Sequence, residues 1–320
     1  MNKSFVTPLA IFLWKKHHLL HKVFRSLELN KEFKKTKIYI FVDYADSFSK
    51  EYTENYILKK KLKKYTHYKN IKVIFRTKKF GLSKNIIDGI THLFKFYKQV
   101  IILEDDLIVS KDFLTYMNQS LNFYRNNKSV LSISGFNHKD YENYISKNYK
   151  YDNFFSKRAS SWGWGTWRNR WELNKIKISY LEIKKNKKKI IKFLGQDVYF
   201  SLLNINLNNY DLWAANWCFV GLKKNMYTSY PVKSKISNIG FDGTGQGGYS
   251  NKFKNSFNFK LKKNFNLCNY IDPSISKFEI ESDKFISRFS QNILIQHVKN
   301  FMPLNLKKFI KNIYKNILIK

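Results

Sequence analysis

Short apolar runs recur along the first part of the chain, and each is followed by a stretch whose apolar residues fall at helical spacing. Leu9 to Trp14 precedes a helical pattern around His18 to Leu27, and Ile38 to Val42 precedes one around Glu51 to Lys64. Ile71 to Phe75 leads through a turn at Gly81 into a helical stretch from about Ser83 to Tyr97. Val100 to Leu103 is apolar throughout, which predicts a strand buried on both faces. A helix carrying Phe113, Leu114 and Met117 follows Ser110, and another strand is expected at Val130 to Ser134. Alternation of this kind predicts an α/β fold, a mostly parallel sheet with covering helices. Ligands of such sheets bind beyond the carboxyl ends of the strands. Asp43 and the acidic triplet Glu104, Asp105 and Asp106 lie at those ends.

The regularity fades after Ser134. Ile176 to Phe193 is lysine-rich with apolar residues at helical spacing, and Asp197 to Leu207 reads as a further helix. A glycine-rich stretch at Gly240 to Gly248 marks a boundary between one folded domain over residues 1–250 and a basic extension over residues 251–320. The extension closes on an apolar stripe, Leu306, Phe309, Ile310, Ile313, Tyr314, Ile317 and Leu318, with Lys307, Lys308, Lys311 and Lys315 off it. That pattern predicts an amphipathic helix, suited to an anionic membrane surface or to packing on the domain. Pro8 to Trp14 lacks a small-residue cleavage site and is far shorter than the ~20 residues of a membrane span, so it is expected to be a buried strand.

Composition changes this picture modestly. Hydrophobic residues at 43% and aromatics at 18% of 320 residues supply a sizeable core. Lys+Arg 59 against Asp+Glu 23 gives a net charge of +36, which favours anionic partners. The arginines are few, and base and phosphate recognition prefers the guanidinium fork, so nucleic acid is disfavoured. A coding bias toward lysine accounts for much of the excess equally well. Cys218 and Cys268 show no CxxC spacing, so neither a disulfide framework nor a zinc site is expected. That absence fits a reducing, cytoplasmic compartment, with peripheral attachment to the inner face of the membrane as an option.

The chemistry concentrates in VIILEDD. Three carboxylates at the end of a buried strand can hold a hard divalent cation, Mn2+ or Mg2+, against a diphosphate, although an acidic turn before a helix has the same residues. Asp43 is placed to bond a base or ribose, or simply to make an Asx-turn. In RASSWGWGTWRNRW, Trp162 and Trp164 beside Gly163 and Gly165 offer flat faces for a sugar ring, and core packing is the competing explanation. GxSxG and Walker patterns do not occur, which removes the enzyme classes they mark.

Taken together, FVD at Asp43, FGLSKNI at Gly81 to Ile86, VIILEDD, SISGF at Ser132 to Phe136, SSWGWGTW, GQD at Asp197 and YPVKSKISNIGFDGTG resemble bacterial sugar transferases close to family 2 glycosyltransferases. A more distant similarity is to the animal N-acetylglucosaminyltransferase that initiates complex N-glycans. The resemblance spans roughly Pro8 to Gly245. It implies a GT-A, Rossmann-like fold, a nucleotide-sugar donor and a metal at the triplet, with Asp106 the direct ligand. The nucleotide-sugar-binding set would then comprise Asp43, Arg76, Gly81, Asn85, Glu104 and Asp105. The chain departs from its relatives at Gln196, usually acidic, and at Gly247, often histidine, leaving Asp242 or Gln246 as substitutes for the latter. The expected reaction is inverting sugar transfer to a saccharide or glycolipid acceptor in cell-envelope polysaccharide synthesis. Asp197, opening a helix after Gly195, is the expected base, and Asp242 is the other candidate. A sugar nucleotidyltransferase and a non-catalytic carbohydrate- or nucleic-acid-binding protein are the alternatives. The first of these would normally carry a phosphate loop where this chain has WKKHH.

Overall fold

A computed structural model describes residues 6–137, 145, 149–208, 213–240 and 262–268. The expected C-terminal helix, Asp242, Gln246 and Gly247 lie outside the described residues. The chain opens with β1 (Leu9–Leu13), α1 (Leu20–Glu28), β2 (Ile38–Val42), α2 (Tyr52–Leu62), β3 (Ile71–Phe75), α3 (Leu82–Leu93) and β4 (Gln99–Glu104). Then follow β5 (Leu107–Val109), α4 (Phe113–Phe123), β6 (Val130–Ser134), β7 (Asn153–Ser156) and β8 (Trp164–Trp167). Helices α5 (Arg168–Trp171), α6 (Tyr180–Lys185), α7 (Lys187–Leu194), α8 (Gln196–Asn208) and α9 (Trp213–Lys223) precede β9 (Tyr227–Pro231) and β10 (Ile236–Asn238).

Eight strands form one sheet in the order β3-β2-β1-β4-β8-β6-β9-β7, and β5 pairs with β10 in a separate antiparallel ribbon. The pairs β3–β2, β2–β1, β1–β4 and β6–β9 are parallel, whereas β8 runs antiparallel to both its neighbours and β7 is antiparallel to β9. The expected mostly parallel α/β sheet is therefore present, with one reversed strand inserted at its centre.

Alternation along β1 shows why the sheet needs helices on both faces. Leu9, Ile11 and Leu13 join one apolar cluster with Val23, Phe24 and Leu27 of α1, Leu58 of α2 and Leu114 and Met117 of α4. Ala10 and Phe12 join the other with Ile86, Ile90 and Leu93 of α3 and Trp217 and Phe219 of α9. A strand buried on both sides has no polar face to show, hence its uniformly apolar sequence. Among the described residues no helix is long and apolar enough to cross a membrane.

Candidate active site

The parallel strands β1, β2 and β4 end side by side, and their last residues make the site. Glu104 closes β4, and Asp105 and Asp106 form the turn into β5. From the end of β1 the backbone N–H of Trp14 donates to Asp105 Oδ2 at 3.4 Å. Lys16 places Nζ 2.6 Å from Asp106 Oδ2 and 3.8 Å from Asp105 Oδ1. Only 12% of the Lys16 side chain is exposed, against 16% for either aspartate. Burial opposes the charged form of Lys16, but Asp106 and Asp105 outweigh it and raise its pKa. Burial, then the charges of Asp106 and Asp105, push Glu104 well above the usual carboxylate range. Burial and Asp106 push Asp105 upward too, with Lys16 and the N–H groups of Trp14 and Lys16 pulling back.

The ribbon brings a second strand to the same point. Pairing of β10 with β5 sets the Ile239 N–H to donate to the Asp106 carbonyl at 2.8 Å and lays Gly240 on the Asp106 side chain. A Cβ at Gly240 would stand 2.2 Å from Asp106 Oδ2, so this position needs glycine for space.

Beside this cluster, Asp43 is buried at the end of β2. Its carboxylate accepts from the N–H groups of Tyr44, Phe80 and Gly81, each at 2.9 Å. Those bonds fix the turn in which Gly81 takes φ +78° before α3. Arg76, just past β3, donates Nε to Asn85 Oδ1 at 2.9 Å, pairs with Asp88 at 2.7 Å and lies over the rings of Phe41 and Phe80. Asn55 of α2, buried, donates to both the Trp14 and the Asp43 carbonyls and so ties the ends of β1 and β2 together. Asp43, Arg76, Gly81 and Asn85 thus come together, next to the triplet.

The tryptophans divide. Trp162 is half-buried, edge-on to Phe136 with ring centroids 4.6 Å apart. Trp164 is fully buried in β8 and packs on Trp213, Trp171 and Trp217, its ring stacked on Trp213 at 5.2 Å. The expectation that Trp164 offers a face to a sugar is corrected by that burial. Gly163, at φ +60°, is also explained by packing, since a Cβ there would meet Ile236 Cδ1 at 2.4 Å.

Asp197 sits in the first turn of α8 and is held in a bidentate pair by Arg158, whose Nη1 and Nη2 donate to its two carboxylate oxygens at 2.8 and 2.6 Å. Arg158 also donates to the Leu194 carbonyl. A guanidinium on both oxygens holds a carboxylate ionised and makes it a poor proton acceptor, which counts against Asp197 as the base. The sequence reading missed Lys16, Asn55 and Arg158. Lys16 and Arg158 lay inside stretches singled out for other reasons, WKKHH and RASSWGWGTWRNRW, and nothing local announced their partners.

Among the described residues no three His, Cys, Asp or Glu side chains converge as a finished metal cage. The donor set nevertheless suits a hard cation. Three crowded carboxylates share one ammonium, burial and then the neighbouring carboxylate charges raise the pKa values of Glu104 and Asp105, and Asp106 already gathers a cation on one oxygen.

The family model "Glycosyl transferase family 2" matches residues 15–190. No curated protein matches the chain. Among solved structures, the chain is similar to the mannosyltransferase PcManGT from Pyrobaculum calidifontis in complex with GDP-Man and Mn2+. The identity is 8% and the TM-score 0.36, over 52% of this chain and 46% of that one. It is also similar to GalNAc-T7 with UDP, GalNAc and Mn2+, at 9% identity and TM-score 0.45, over 73% of this chain and 43% of that one. The chain spans less than half the length of either. With the family model matching more than half of its residues, over a segment that holds the β2 and β4 strand ends, the chain belongs to glycosyl transferase family 2.

Proposed function

We propose that this protein transfers a sugar from a nucleotide-sugar donor to a saccharide or glycolipid acceptor, with inversion, at the strand ends that carry the triplet. One observation carries the reading: Asp106 at the end of β4 already collects a cation on Oδ2, within a cluster of carboxylates that a single lysine leaves short of positive charge. Mn2+ or Mg2+ held by Asp106, with Asp105 beside it, would neutralise the charge that grows on the departing nucleoside diphosphate. The nucleotide end of the donor lies along the Asp43–Gly81 turn and the Arg76–Asn85 pair. In this arrangement Asp43 shapes the crevice through its three main-chain bonds, and Arg76 is held for an incoming ligand by Asn85 and Asp88. Trp162, half-buried, is the proposed platform for the acceptor sugar. With Asp197 committed to Arg158, Asp242 becomes the proposed base, two residues along the chain from Gly240. Assembly of an envelope polysaccharide at the inner face of the membrane fits the +36 charge.

Screening nucleotide sugars for Mn2+-dependent release of a nucleoside diphosphate tests the reading. Wild type should release it from at least one donor and Asp106→Ala should not. Failure with every donor in both metals would overturn the assignment. Asp242→Asn should lower turnover by about 10² or more with the fold intact. If Asp197→Asn does so and Asp242→Asn does not, the two roles are reversed.

A further inference from the structure

Lys16 is tied into the site twice. Its ammonium pairs with Asp106 and Asp105, and its own backbone N–H supports the Asp105 carboxylate. It stands three residues beyond the end of β1, a strand locked between β2 and β4, so the short stretch from Leu13 delivers the side chain to the carboxylates. The oxygen it holds at 2.6 Å, Asp106 Oδ2, is the one against which Gly240 packs. Two cations cannot share that oxygen in a partly buried site without strong repulsion. An ammonium on a four-carbon stem can swing away, and the fixed main chain cannot.

We propose that Lys16 is a built-in counter-cation that the divalent metal must displace, and that on displacement its ammonium moves to the donor diphosphate. The inference rests on the proposed metal site and deepens it. While the site is empty, Lys16 keeps the carboxylates from repelling one another. A metal arriving alone must expel it into solvent at the cost of two close ion pairs. A metal arriving with a diphosphate offers the ammonium a new anion, so metal and donor bind together and neither binds well alone. Lys16 is thereby a positioning residue for the donor and a gate on the metal.

Binding of Mn2+ alone to the full chain, followed by the paramagnetic resonance of free Mn2+, tests this without turnover. Lys16→Met should bind Mn2+ about tenfold or more tightly than wild type, because the competing charge is gone. Lys16→Arg, which keeps the charge and grips carboxylates with a fork, should bind it several-fold more weakly. This second variant decides the matter if the first does not fold. Adding UDP or GDP should erase the advantage of Lys16→Met. Its persistence with both would show that the ammonium does not move to the diphosphate. Mn2+ affinities unchanged by either substitution, with binding still lost in Asp106→Ala, would overturn the Lys16 proposal and leave the metal site standing. Absence of Mn2+ binding from wild type and Lys16→Met alike would overturn both.

Discussion

Two carboxylate–cation pairs in this molecule look alike on paper and differ in kind. Asp197 and Arg158 form a closed pair: one carboxylate, one guanidinium, both oxygens engaged, with side chains 13% and 22% exposed. Around Lys16 the ratio is three carboxylates to one ammonium, which contacts a single oxygen closely and a second at 3.8 Å. The closed pair has nothing left to offer a ligand. In the open cluster, charge is unbalanced and the cation is the easiest part to exchange. In the proposed function it is the mismatch between carboxylates and their counter-charges, rather than carboxylates alone, that points to the catalytic centre.

The largest effect expected of that contrast is on the closed pair. Arg158→Met strands Asp197 in a largely buried place and should cost about 3–5 kcal/mol, read as a lower midpoint in urea. A loss below about 1 kcal/mol would mean that the pair is exposed in solution. Asp43→Asn removes an acceptor from the Gly81 turn while leaving the acidic triplet untouched. It should cost about 1–2 kcal/mol in the same denaturation and leave the affinity for Mn2+ alone as in wild type. Gly240→Ala forces its Cβ into Asp106, and Mn2+ affinity should fall by about tenfold, measured by calorimetry, with the fold retained. Asp106→Ala should be the mildest for stability, within about 1 kcal/mol of wild type, because Lys16 keeps Asp105 and repulsion within the cluster falls. A large destabilisation there would make the open cluster a structural pair like the other.

Much of the first half of the fold was legible because its inner strands, β1 and β4, are buried along almost their whole length, and the edge strand β3 is an apolar run despite its partial exposure. Ile71–Phe75 and Val130–Ser134 fall where the apolar runs end, and the triplet stood out as carboxylates following such a run. The strands of the second half hide for a physical reason. In β9, Thr228 and Ser229 are buried but polar, and they bond Ser132 and Asn153 at 2.8 Å each, so a polar sequence lines an interior ladder. β8 is four residues of tryptophan, glycine and threonine, and its glycine and rings suggested a ligand platform rather than the strand between β4 and β6. Lys16 was unreadable for a different reason. In a chain with 59 Lys and Arg side chains, a lysine that turns inward carries no local mark, and Lys16 and Lys157 read like any other. Arg158 and Asp197 are 39 positions apart, and only the fold joins them.

The β5–β10 ribbon sets a timetable for the site. Val109 follows the triplet almost at once, yet its partner Ile236 is made more than a hundred residues later. Non-local pairings of this span are slow to form, and at roughly 5–20 residues per second of synthesis Ile236 emerges many seconds after Asp106. Until then the acidic triplet exists without the backbone of Ile239 and Gly240, and Lys16, already synthesised ahead of it, is the counter-charge at hand. The nascent chain thus carries a counter-cation for the triplet from the start, and the surroundings of Asp106 are completed only with the last strand of the ribbon.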